Sequence, residues 1–164
     1  MINIIIRDYK TDDADGKGYV HYKSWQETYT GLMNQEYLDK LSVERSVETS
    51  KKFSNSENTL IAEVDGKIVG FACYNKCRSV ELENYGELIS IYILKEYHKK
   101  GIGKMLMDEC VKRLSEFNGI ALWVLDSNKN TIDFYEKYGF SFDGAIKEAV
   151  LVTPITELRM IMEF

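Results

Sequence analysis

The apolar positions of this chain change their period as it proceeds. "INIIIR", residues 2–7, is a short apolar run that predicts a first strand. A helix follows through Tyr29: the acids around Thr11–Asp13 suit a helix N-terminus, and Gly31 ends it. "NQEYLDKLS" and "SVERSVETSKKF" predict one or two short helices, with Asn34 and Ser42 as caps and alternating charges on a solvated face. From Thr59 the pattern turns to β-branched and aromatic runs, broken by Asp65-Gly66, a pair that favours a two-residue hairpin turn. "ELISIYIL", residues 87–94, is apolar on both faces and predicts a strand in the middle of a sheet.

Helical spacing returns at Ile102, Leu106, Met107, Cys110, Val111 and Leu114, and Asn118-Gly119 is the expected stop near residue 116. "IALWVL" predicts a strand, "NTIDFYEKY" a helix closed by Gly139, and "FSFDG" a further strand. Residues 145–155, which hold the single proline, Pro154, read as a loop before a last strand, "ELRMIMEF". This order predicts an α/β arrangement on a mixed sheet, neither a barrel nor a doubly wound fold. The 164 residues fit one compact domain, 1–164.

Charge and cysteine content narrow the partners. A net charge of −5 argues against nucleic acid and suits a cationic substrate. Cys73, Cys77 and Cys110 read as reduced thiols, since no second cysteine pair or histidine gives zinc-ligand spacing. His21 and His98 fall on unrelated segments, so no metal is expected. "MINIIIRDY" is too short an apolar run for a signal peptide or a membrane span, which points to a cytoplasmic protein with no membrane partner.

The densest chemistry lies in "HKKGIGKMLM", where a strand meets a helix. The first amides of a helix have no internal partner and sit at the positive end of its dipole. Gly101 and Gly103 let backbone approach a bound group, and Lys99, Lys100 and Lys104 add charge, so the turn is an anion site. A dinucleotide fold would want glycine where Leu106 stands, and a P-loop would want Ser or Thr where Met105 stands. A plain tight turn with solvated lysines is the remaining alternative on these residues alone.

The stretch His98-Lys99-Lys100-Gly101-Ile102-Gly103 resembles the pyrophosphate loop of the GNAT superfamily of acyl-CoA-dependent N-acyltransferases, Gln/Arg-x-x-Gly-x-Gly/Ala, with histidine in the first place. "LWVLDSNKNTIDFYEKYGF" is similar to the family's fifth strand and fourth helix, with Asn128 and Tyr135 on its Asn and Tyr. "SWQETYTGLMNQEYLDKLS" is similar to the N-terminal region of many bacterial members. The resemblance implies a mostly antiparallel mixed sheet flanked by helices, with the fourth and fifth strands splayed. It implies acetyl-CoA as cofactor, its diphosphate on residues 99–104 (Ile102 included) and its pantetheine along Ile91, Tyr92 and Ile93. His98, Asn128, Phe134 and Tyr135 complete that cofactor set.

The implied reaction is acetyl transfer to a primary amine of a small molecule by direct attack on the thioester. An alkyl amine with a pKa of about 10.4 is mostly protonated at pH 7, so a base helps. Glu87 stands where some members carry one; Glu83, Asp126 and a water relayed through Tyr92 are the alternatives. A backbone N–H of Ile93 or Tyr92 is the natural donor to the developing oxyanion, and Tyr135 the acid for the departing sulfur. Tyr22, Trp25 and Tyr29 share a helix face, either as core or as an aromatic wall attractive to a cation in the acceptor cleft. A non-catalytic acyl-CoA-binding module and a protein N-terminal or lysine acetyltransferase are the alternatives. Family analogy adds a homodimer through the last strands.

Overall fold

The computed structural model describes residues 1–164. Its elements are β1 (Ile4–Asp8), α1 (Ala14–Tyr29), α2 (Gln35–Asp39), α3 (Val43–Phe53), β2 (Thr59–Val64), β3 (Lys67–Lys76), β4 (Gly86–Ile93), α4 (Ile102–Arg113), β5 (Gly119–Leu125), α5 (Lys129–Tyr138), β6 (Ser141–Leu151) and β7 (Thr153–Glu163). The strands form one seven-stranded sheet in the order β1-β2-β3-β4-β5-β7-β6. Every pair is antiparallel except β4 with β5, so the sheet is mixed and mostly antiparallel, and β4 is its middle strand. No helix is long and apolar enough to cross a membrane.

Caps chosen by sequence explain several boundaries. Asn34 Oδ1 accepts from the amides of Glu36 and Tyr37 to start α2, and Ser42 Oγ accepts from Arg45 to start α3. Arg7 donates to both carboxylate oxygens of Asp13 at 2.7 and 2.8 Å and ties β1 to the turn before α1. That guanidinium holds the Asp13 carboxyl below the usual carboxylate range. Asp65 and Gly66 both take positive φ in the β2–β3 hairpin, the conformation a two-residue turn requires.

Each sheet face has its own core. Leu60, Ala62, Ala72, Leu88, Leu106, Met107, Ile120 and Tyr135 meet on the side covered by α4 and α5. Ala14, Val20, Ile61, Phe71 and Leu94 meet under α1. β4 runs between the two cores, with Ile91 and Ile93 half-buried against the first and Tyr92 against the second, which accounts for apolar residues on both its faces, while Ile89 is exposed.

Two expectations are corrected. Residues 145–155 are strand: β6 and β7 form a long hairpin that turns at Val152, whose φ is +69°, with Val150 opposite Pro154. β6 is the sheet's last strand and largely exposed, so its apolar alternation is diluted by Lys147 and Glu148, and a proline next to a turn costs one donor only. The second correction concerns α4, which ends at Arg113, before Asn118-Gly119. Gly119 opens β5, and a Cβ there would lie 2.3 Å from the Met162 carbonyl oxygen and 2.7 Å from the Tyr85 ring. Close approach of strands, not a helix stop, requires this glycine.

Gly119→Ala is accordingly expected to lower stability by about 1–3 kcal/mol through overpacking. Urea unfolding measures it, and an unchanged midpoint would show that β5 and β7 are free to separate.

Candidate active site

β4 and β5 pair only at Gly86–Leu88 with Ile120–Leu122 and then part. The β3–β4 register explains the divergence: Tyr74 faces Leu88 and Cys73 faces Ser90, which leaves Ile89 as an extra residue in a bulge. A bulge bends its strand and increases local twist, here away from β5. Beyond Leu88 the β5-facing backbone groups of β4 have no strand partner, and a cleft of about 910 Å³ opens between the strands.

One side of the cleft is the anion turn. Lys99 and Gly101 have φ of +60° and +82°, and Gly101 caps the N-terminus of α4. None of the amides from Lys99 to Lys104 donates to a backbone carbonyl, so six donors stand at the start of one helix. A Cβ on Gly101 would meet nothing within 4 Å; its requirement is conformational. Gly103 differs, since a Cβ there would come 3.3 Å from the Phe134 ring. The ring of His98 donates from Nε2 to the Ile93 carbonyl at 2.8 Å and ties the turn to the end of β4. Lys99 and Lys104 line the cleft, whereas Lys100 lies outside it.

α5 supplies the floor. Asn128 is buried, lines the cleft and makes no side-chain cap bond to its own helix, so its amide is left for a ligand. Phe134 and Tyr135 line the cleft side by side. Tyr135 is packed edge-on against Phe134 and Phe140. Burial, with the Tyr29 phenol next, pushes its pKa upward, which keeps its proton in place at neutral pH.

The opposite side is aromatic. Trp25 and Tyr29 of α1 are edge to face at 4.7 Å, and the Tyr29 hydroxyl lies 3.1 Å from that of Tyr92. Burial raises the pKa of both phenols, so they too stay neutral. Tyr92 thus puts its side chain on the α1 side, although its strand was expected to serve the cofactor. His21 stacks on Tyr92 at 6.0 Å and meets Phe71 edge-on at 5.7 Å; burial and the nearby Lys17 charge push its pKa down to about 4. Tyr22 is not part of this wall. It shares the helix face of Tyr29 but sits two turns, about 10 Å, further from the cleft.

Glu87 lines the cleft and is 1% exposed. Its carboxylate is not free: Oε1 accepts from the Arg78 amide at 3.0 Å, and Oε2 accepts from Arg78 Nη2 at 2.5 Å. Glu83 and Asp126 do not reach the cleft. Sequence reasoning missed Arg78, Trp123, Lys147 and Glu157, which also line the cleft. Three of the four belong to β5 and the β6–β7 hairpin, and the hairpin could be placed only once the supposed loop was strand.

Residues 20–140 match the Acetyltransferase (GNAT) family. The chain belongs to that family. It is 31% identical over 139 residues to the uncharacterised N-acetyltransferase YuaI of Bacillus subtilis, covering 82% of this chain and 79% of that one. It is 30% identical over 155 residues to the spermidine N(1)-acetyltransferase of Thermoplasma acidophilum, covering 87% and 91%. The crystal structure of the PaiA N-acetyltransferase of T. acidophilum in complex with coenzyme A superposes with a TM-score of 0.73 at 25% identity, covering 99% of both chains. This GNAT protein is therefore an N-acetyltransferase and uses acetyl-CoA. The free amides of the turn, the left-handed Gly101 and the unengaged Asn128 amide fit a diphosphate and an amide-bearing arm.

Gly101→Val forces a β-branched residue into the left-handed region and is expected to cut coenzyme A affinity at least tenfold, read by calorimetry. Unaltered affinity would remove the turn from the binding site. His21 is held neutral in the fold, so the unfolded chain binds the extra proton between about pH 6.5 and 4, and stability falls as pH drops through that window. His21→Phe is expected to flatten that part of the stability profile; an unchanged slope would show a solvated imidazole.

Proposed function

We propose that residues 1–164 form one domain that acetylates a primary amine of a small molecule by direct attack on the donor thioester. The observation that carries this reading is the two-sided cleft: free helix-terminal amides on one side of the parted strands, an aromatic wall on the other, and the Tyr135 phenol between them. A relative of similar length is named for spermidine, a small amine, which supports the substrate size.

When bound, acetyl-CoA supplies an activated carbonyl carbon. The chain's own groups do the rest. The amides of residues 99–104 hold the diphosphate, with Lys99 and Lys104 adding charge, and the Asn128 amide meets the arm. Tyr92 pairs its backbone with Phe71 of β3, whereas Ile91 and Ile93 turn theirs toward the gap left by β5, and one of these two N–H groups faces the carbonyl oxygen as negative charge develops there. Trp25 and Tyr29 orient the amine. Tyr135 keeps its proton until the sulfur leaves and then donates it.

Glu87 is the buried carboxylate available to take the amine proton. It can do so only as Arg78 yields, and Arg78 sits on an exposed loop with its side chain 66% accessible, so an arriving ammonium can replace the guanidinium as partner. Glu87 thus has one cation exchanged for another, and its charge is never left unpaired.

Tyr135→Phe is expected to lower kcat about 100-fold and leave coenzyme A affinity within twofold. Initial-rate thiol release and calorimetry measure the two; an unchanged kcat on an accepted amine would take the acid role from Tyr135.

A further inference from the structure

A second cavity, of about 570 Å³, opens on the α1 face between α1, α3 and the adjoining ends of β3 and β4. It borders the acceptor side of the main cleft, because Arg78, Ile89 and Ser90 line both. Its lining includes Lys17, Lys76 and Arg78 and no acidic residue, in a chain with 26 acids and 21 Lys and Arg. Acid-free walls in an acidic protein single out this cavity.

Lys17 is its most unusual member. The residue is 4% exposed, and its ammonium lies 3.2 Å from Ser50 Oγ and 4.3 Å from the centre of the Phe71 ring. No carboxylate pairs with it. A lysine ammonium has three donors, and one hydroxyl with one ring face leaves this buried charge short of partners. Burial pushes its pKa down, as expected for a cation without a counter-ion. Such a group is costly unless something pairs with it. One helical turn on, His21 Nδ1 is also buried without a partner.

We propose that this cavity is an anion subsite of the acceptor cleft and that the acceptor amine carries a carboxylate that pairs with Lys17. The assignment rests on the acyl-transfer reading of the neighbouring cleft. Lys17 is the one buried cation of this cavity, and a single ammonium neutralises one charge, which matches a carboxylate better than a doubly charged phosphate. The aromatic wall of Trp25, Tyr29 and Tyr92 then receives the amine end, and His21 and Phe71, which touch Tyr92 and line the second cavity, connect it to the carboxylate end. The acceptor class is an amino acid, not a polyamine.

The test compares amino carboxylates, the α-amino acids and the straight-chain ω-amino acids of two to six carbons, each against its decarboxylated amine. Thiol release is followed in wild type and Lys17→Met, while pentanoate is titrated into both proteins by calorimetry without acetyl-CoA. At least one amino carboxylate is expected to exceed its decarboxylated amine tenfold or more in kcat/KM, and Lys17→Met to reduce that ratio at least tenfold. Pentanoate is expected to bind wild type and not the variant. Preference for decarboxylated amines throughout, or a ratio that survives Lys17→Met, overturns the acceptor assignment. Pentanoate binding that is absent, or equal in both proteins, overturns the anion site itself. If no amine is acetylated, the failure belongs to the acyl-transfer reading, and the titration still decides the site. Cys73→Asp, which places a carboxylate in the same cavity, is the second variant should Lys17→Met fold poorly; it is expected to abolish pentanoate binding.

Discussion

The hydrogen bonds that β4 and β5 do not make are what the site depends on. Three register pairs join the strands, and then the bulge at Ile89 turns β4 away. Unpaired strand backbone inside a sheet is normally a penalty, because each N–H and C=O needs a partner. In the proposed function the same groups serve as ligand donors and acceptors. The two faces of the sheet, otherwise sealed from each other by continuous pairing, communicate through this one gap.

Everything else converges on that gap. The anion turn closes one end because α4 begins where β4 runs out, and the His98 ring bonded to Ile93 keeps turn and strand end together. α5 brings Tyr135 beneath it, locked between Phe134 and Phe140. From the other face, α1 brings Trp25 and Tyr29 against Tyr92, and the β6–β7 hairpin adds Glu157 and Lys147. Neutral phenols in a buried setting suit chemistry in which a proton must be kept until a leaving group needs it.

What could be read from sequence was what is local. The Asp65-Gly66 turn, the Asn34 and Ser42 caps and the glycine turn at 101–103 depend on a few adjacent residues, so spacing alone reveals them. What was hidden depends on tertiary pairing. The exposed β6 reads as loop because solvent faces much of it, and Gly119 reads as a helix stop because the Met162 carbonyl it must admit lies on a distant strand. Tyr22 shows the limit of face arguments: helical periodicity gives direction around the axis but not position along it. Glu87 was visible as a carboxylate at the start of β4, and its engagement by Arg78 was not. Lys17 carried no signal at all, since one lysine in an amphipathic helix reads as solvated.

The most direct test of the central claim is an amide chemical-shift titration of the protein with coenzyme A. The account predicts that the largest shifts fall on the amides of residues 99–104 and of Ile91 and Ile93, the N–H groups left unpaired by the turn and by the parted strands. Shifts confined to other surfaces, or none at saturating coenzyme, would contradict the claim that the gap between β4 and β5 is where the cofactor lies.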